Sequence, residues 1–95
     1  MNNDTKIMRD AAERGIRYRE ALADRSVAPS PEAVAAVAAF DEALSEQGCD
    51  AAETLAMLDE IGSPASVAMA GPRFFGFVIG GSLPVTVAAN WLATA

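Results

Sequence analysis

Histidine is absent from the 95 residues, which removes imidazole as a base, a nucleophile's partner or a metal ligand. Few side chains remain that could do chemistry. Cys49 stands alone in Ser45-Glu46-Gln47-Gly48-Cys49 with no adjacent base or cation to lower its pKa, and it reads as an inert thiol. A single cysteine also excludes an internal disulfide and a thiolate metal cluster, and it suits a reducing compartment. Asp59 and Glu60 invite an acid–base reading. Neighbours on a helix, however, point about 100° apart and do not share a proton, so the pair reads as surface. Lys6 is the only lysine. Met57 and Met69 read as gap-fillers. Gly76-x-x-x-Gly80 matches a small-residue packing motif, and Gly76 to Gly81 loosely resembles a phosphate loop. The Lys-Ser/Thr that phosphate binding requires does not follow.

The elements that would position these residues are helical over the first two thirds. Ile7, Ala11, Tyr18 and Leu22 recur at helical spacing and predict a helix over 4–23, weakened by Gly15 by about 1 kcal/mol relative to alanine. Arg9, Glu13, Arg17 and Glu20 alternate in sign on its other face and read as a solvated surface. Ser30-Pro31-Glu32 offers a hydroxyl cap, a first-turn proline and a first-turn acid, opening an alanine-rich helix that fades near Leu44. Asp50 with Glu53 resembles a capping box for a third helix carrying Leu55 and Leu58, with Gly62 as a left-handed C-terminal cap before Ser63-Pro64. Beyond Pro64 the language changes. Gly71-Pro72 marks a turn, Arg73 to Ile79 is aromatic and β-branched and predicts extended chain, and Ser82 offers an N-cap to a final helix opened by Leu83-Pro84.

Charge is unevenly spread. Residues 1–25 carry six basic and five acidic side chains, 26–60 carry eight acidic and none basic, and 61–95 carry Arg73 alone. The net charge of −6 argues against a nucleic-acid partner, because phosphate contacts need a basic surface. Twenty-one alanines imply a thin core, since a methyl group buries little area. The last third therefore reads as surface to be covered. Phe74 to Ala95 is uncharged and long enough to span a bilayer, but Gly80-Gly81-Ser82-Leu83-Pro84 would break such a helix in hydrocarbon. The polar, charged N-terminus is not a secretory signal, which makes the cytoplasm the expected location.

Leu58-Asp59-Glu60-Ile61-Gly62-Ser63-Pro64, Gly71-Pro72-Arg73-Phe74-Phe75-Gly76-Phe77-Val78-Ile79-Gly80-Gly81-Ser82-Leu83-Pro84 and Ala88-Ala89-Asn90-Trp91-Leu92-Ala93-Thr94-Ala95 together resemble the N-terminal region of pyridoxal-phosphate-dependent amino-acid decarboxylases. This group includes the aromatic-L-amino-acid and glutamate decarboxylases. The Pro-Arg-Phe-Phe-Gly-Phe run, followed by a small-residue turn and Leu-Pro, is the strongest element. The likeness is close over about residues 55–95 and general before that.

The resemblance implies a mostly α chain: the N-terminal helical arm and the start of the large domain of a fold-type I, aspartate-aminotransferase-like enzyme, truncated within the helix leading to the cofactor domain. Residues 1–62 would be a three-helix dimerising arm, and 63–95 the pocket segment and first helix of the large domain. The implied partners are the second subunit of a homodimer, the remaining pyridoxal phosphate domain and an amino-acid substrate. By position, Phe77, Val78, Ile79 and Gly80 would line the substrate pocket, with Met69 a weaker candidate. Relatives acting on aromatic amino acids tend to carry aromatic residues and a threonine there, a pattern from which Val78, Ile79 and Gly80 depart. Gly71 stands where many relatives have histidine. The Schiff-base lysine, the carboxylate for the pyridine nitrogen and the stacking aromatic would lie downstream. No catalytic, cofactor-binding or metal residue is expected in this chain, and none of the cofactor is expected to bind it. The competing reading is a small stand-alone helical protein using its apolar C-terminal third for a membrane or a partner.

Overall fold

A computed structural model of the chain describes residues 3–77 and 80–95. Helix α1 spans Asn3–Ala21. Helix α2 spans Pro31–Ala36 and tightens into a 3-10 turn over Val37–Phe40. Helix α3 spans Ala51–Met57 and widens into a π-helical turn over Leu58–Gly62, and α4 spans Pro84–Thr94. Among the described residues there is no strand, so the chain is mostly α.

The local signals for the first three helices work as expected. Ser30 Oγ accepts from Ala33 N at 3.1 Å with Pro31 in the first turn, and Asp50 Oδ2 accepts from Glu53 N at 3.1 Å. The second bond at α3 comes from Thr54, whose hydroxyl donates to the Asp50 carbonyl at 3.1 Å. The apolar stripe of α1 holds: Leu22 is buried, and Ile7, Ala11 and Tyr18 are partly covered.

Four expectations are corrected. The second helix ends at Phe40, not Leu44. Asp41 leaves helical geometry at φ −83°, ψ 83°, and residues 41–50 carry no regular structure. Asp41 and Glu42 would bring negative charge to the negative end of the helix dipole, which favours stopping there. Gly62 is not a left-handed cap: the chain continues right-handed into Ser63 (φ −62°), whose N–H donates to Asp59 O at 2.9 Å. A Cβ on Gly62 would meet the Phe40 ring at 3.9 Å, an ordinary contact. Ser82 does not cap α4. Leu83 holds the cap position, its N–H donating to Thr86 Oγ1 at 3.1 Å, while Ser82 is engaged by Arg19. Finally, residues 71–77 form turns and irregular chain rather than an extended segment, and Phe77 lies at φ +59°. Aromatic and β-branched residues favour a strand only where a pairing edge exists, and the described residues supply none.

The core is small. Among the described residues Leu22 (6% exposed) and Ala68 (1%) are the buried hydrophobic ones, where the end of α1 meets the 66–71 segment. Ala68 N donates to Val27 O at 2.9 Å, and a Cβ on Gly71 would stand 3.2 Å from the carbonyls of both Leu22 and Ala68. Helix α4 reaches α1 through Trp91, whose ring lies 3.3 Å from where a Cβ on Gly15 would be. Gly15, costly to the helix on its own, thus seats an aromatic side chain. The accessible surface is 7298 Å², against about 5,200 Å² for a folded monomer of this mass. The radius of gyration is 15.2 Å, against about 12 Å for a compact domain of this length.

Candidate functional site

Two places gather side chains beyond what helix packing needs. The first is the segment assigned to a substrate pocket. Gly76 eases its closure: a Cβ there would stand 3.0 Å from the Phe74 ring, so a larger residue would make that ring shift. Phe74 and Phe77 rings meet at 6.1 Å between centroids with a 33° tilt. An open depression of about 200 Å³ results, lined by Met69, Gly71, Phe74, Phe75, Gly76, Gly80 and Gly81. Of the expected pocket residues, Gly80 (φ +66°) and Met69 line this depression. Phe77 is exposed and touches it through Phe74, and Val78 and Ile79 lie outside the described residues. No titratable group is among the lining residues, so these walls can sort by shape and apolarity but cannot move a proton.

The second place is a polar seam between α1 and residues 59–66. Arg14 falls on the same helical stripe as Ile7, Ala11 and Tyr18, with a half-buried guanidinium. Its Nε donates to Asp10 at 3.1 Å and its Nη1 to Asp59 Oδ2 at 2.9 Å, with Glu60 Oε1 3.7 Å away. Asp59 also accepts from the Ser63 hydroxyl at 2.7 Å. That hydroxyl first, and Arg14 second, hold the Asp59 carboxyl below its ordinary range, against the opposing pull of burial. In return Asp59 first, then Asp10, hold the Arg14 guanidinium still more firmly protonated.

Further along, Tyr18 Oη and Ser66 Oγ share a hydrogen bond at 3.0 Å, and the Arg25 guanidinium lies 5.6 Å from the Tyr18 ring centroid. Arg25 donates to the carbonyls of Ser63 (3.1 Å), Pro64 (3.4 Å) and Ser66 (2.7 Å), and Arg73 donates to the carbonyl of Arg25. Sequence spacing could have found Arg14, which sits seven residues after Ile7 and four before Tyr18. Nothing local announces Arg25.

This seam fastens rather than reacts. The Ser63 hydroxyl donates to Asp59 and the Ser66 hydroxyl to the Ser63 carbonyl, and Asp59, held in its charged form by Ser63 and Arg14, is a weak base for taking a proton. Asp59 and Glu60 both reach one guanidinium and act as its counter-charges; Glu60 lies at the surface as the sequence suggests, whereas Asp59 is half-buried against Arg14. Cys49 is exposed and free. Among the described residues no group of three or more His, Cys, Asp or Glu could hold a metal ion, and no helix is long and apolar enough to cross a membrane.

Pyridoxal phosphate needs a lysine amine for its Schiff base and donors for its phosphate. The only lysine, Lys6, borders a depression shared with Asp4, Asp10 and Asp50, whose carboxylates oppose a phosphate. The residues present do not fit the cofactor. Comparison of the chain with family models, with curated proteins and with solved structures returned no match.

Proposed function

We propose that this chain is the N-terminal part of a cytoplasmic, pyridoxal-phosphate-dependent amino-acid decarboxylase. It contributes a helical arm to the dimer and one wall of the substrate pocket, and is inactive by itself. The observation that carries the reading is the run Gly71-Pro72-Arg73-Phe74-Phe75-Gly76-Phe77 with Gly80-Gly81-Ser82-Leu83-Pro84 after it. Two features of the fold support it. The depression around Met69, Phe74 and Gly80 is apolar and free of titratable groups, as a wall that positions a substrate without reacting with it would be. The surface exceeds that of a self-sufficient domain by about 2,000 Å², as expected of a piece that packs against more protein.

In this role the chain's residues position and exclude. Phe74, Phe75 and Met69 keep water from the apolar part of the substrate. Arg25, through Ser63, Ser66 and Arg73, holds that segment against the arm, and Arg14 fastens the arm to itself through Asp59.

The test is to read the source DNA past the codon for Ala95. A frame continuing for several hundred codons, with a histidine–lysine pair in a cofactor-domain context, supports the reading, and a stop codon directly after Ala95 ends it. As a biochemical counterpart, the 95-residue chain should show no visible pyridoxal absorbance after incubation with pyridoxal phosphate and dialysis, whereas the longer chain should.

The alternative of a stand-alone helical protein draws support from the exposure of Phe75, Phe77, Leu83, Val85 and Leu92. It would employ them in a contact rather than in catalysis.

A further inference from the structure

We infer that the cleft between α1 and α4 binds a free amino acid with an apolar side chain, taking its carboxylate on Arg19 and its ammonium on Glu20. The inference does not rest on the decarboxylase reading, whose substrate wall is the separate depression around Phe74.

The cleft follows from how α4 is attached. Arg19 bonds Ser82, just before α4, and the Trp91 ring near the other end of α4 sits over Gly15. The two helices therefore run antiparallel and are tied at both ends. Between the ties a space of about 240 Å³ stays open, walled by Ile16, Pro84, Val87 and Trp91. It lies on the side of α4 turned toward α1, between two elements of the same chain. Pockets for drug-sized ligands run to about 300–1,000 Å³, so this volume suits a smaller metabolite.

Charge sets this cleft apart from the depression at Phe74. Arg19 and Glu20 also line it, the two titratable groups that do so, and they are opposite in sign. Arg19 is half-buried, and two of its five N–H donors go to the Ser82 hydroxyl and carbonyl. That holds the planar fork at the cleft and leaves donors for a carboxylate, whose geometry the fork matches. Glu20 is exposed, and among the described residues it has no hydrogen bond or ion pair, its neighbour Arg19 included. The two charges stay separate, so a well-matched ligand brings both signs. A simple anion would meet Glu20, a simple amine would meet Arg19, and a neutral apolar molecule would strip water from both without replacing it. An α-amino acid carries both charges on one carbon, and an apolar side chain suits the Ile16, Val87 and Trp91 walls.

Titration of the 95-residue chain with L-leucine tests this, read by the emission of Trp91, the only tryptophan, and by amide shifts in nitrogen–proton NMR. The expected result is saturable binding with a Kd on the order of 1 mM, with shifts centred on Ile16, Val87 and Trp91. Isovalerate lacks the ammonium and isopentylamine lacks the carboxylate. Each should bind at least about tenfold more weakly, because one charged hydrogen bond is lost and one charge is left facing the ligand. Glu20→Gln should weaken leucine binding by about tenfold while leaving isovalerate binding unchanged or tighter, a change of preference that a folding defect does not produce. Arg19→Gln should weaken leucine binding to a similar degree. Because Arg19 also holds Ser82, helical circular dichroism shows whether α4 survives, and Glu20→Gln, which breaks no contact of the fold, carries the test if it does not. Absence of saturable binding, equal binding of the three ligands, or leucine binding indifferent to Glu20→Gln overturns the inference. So do shifts centred on Gly76 and Gly80, which would put the amino acid in the other depression. None of these outcomes bears on the reading frame beyond Ala95.

Discussion

At the residue scale, Asp59 and Gly15 each answer to a partner far away in sequence. Asp59 is held in its charged form by Ser63 and Arg14, so its folded pKa lies below its unfolded value of 3.8. A depressed carboxyl contributes stability that is complete above the unfolded value and is lost as pH falls through the folded one. Urea midpoints measured between neutral pH and pH about 3 should therefore fall on the acid side. Asp59→Asn should flatten that limb and cost about 1 kcal/mol at neutral pH, a modest figure because the pair is only half-buried. At Gly15, alanine adds up to about 1 kcal/mol of helix propensity. It also places a Cβ 3.3 Å from Trp91, at the end of a side chain able to shift. Gly15→Ala should raise helical circular dichroism while moving Trp91 emission to the red, opposing signs that a purely local effect would not produce.

At the scale of elements, what was legible in the sequence was what is decided within four residues. Ser30 and Asp50 are caps because a side chain and a backbone N–H three positions on can meet whatever the rest of the chain does. Ser30→Ala or Asp50→Ala should cost about 1 kcal/mol each, read from thermal melts. The elements that sequence missed are settled by distant partners. Ser82 offered a plausible cap, but Arg19 engages its hydroxyl and its carbonyl, and the cap passes to Thr86. Thr86→Ala should fray α4, while Ser82→Ala should remove one of the two bonds that Arg19 makes there and leave α4 helical. Gly62 offered a plausible stop, but Ser63 binding Asp59 keeps the chain right-handed. The aromatic run from Arg73 reads as strand by composition, but the chain turns at Gly71-Pro72-Arg73 and the Phe74 ring folds back against Gly76. Part of the candidate site was legible as residues, Met69 and Gly80, but its lining by Phe74 and Phe75 depends on that fold-back.

At the scale of the whole molecule, an alanine-rich chain buries little and shows it. Two buried hydrophobic residues among those described, and a surface well above that of a compact monomer, leave little new area to expose on unfolding. The urea m-value should therefore lie at or below about 1 kcal/mol/M, with a broad transition. Charge does not mark out the open part: residues 61–95, nearly uncharged, expose Phe75, Phe77, Leu83, Val85 and Leu92, and the acidic stretch before them exposes Val34, Leu44 and Leu58 as well.

The Arg25 junction bears on the order in which the chain assembles. Its bonds to Ser63 and Ser66 and the bond it receives from Arg73 bridge 38, 41 and 48 residues. Each must close a long loop before it returns any stabilisation, whereas the helices form from contacts a few residues apart. Folding should then proceed as early helices followed by a later knot at one guanidinium. In a stopped-flow experiment Arg25→Met should leave the fast gain of helix intact and remove or slow the phase that follows. In hydrogen exchange, the Ala68 amide beside that knot should open with the whole molecule, while the ends of α4 open alone.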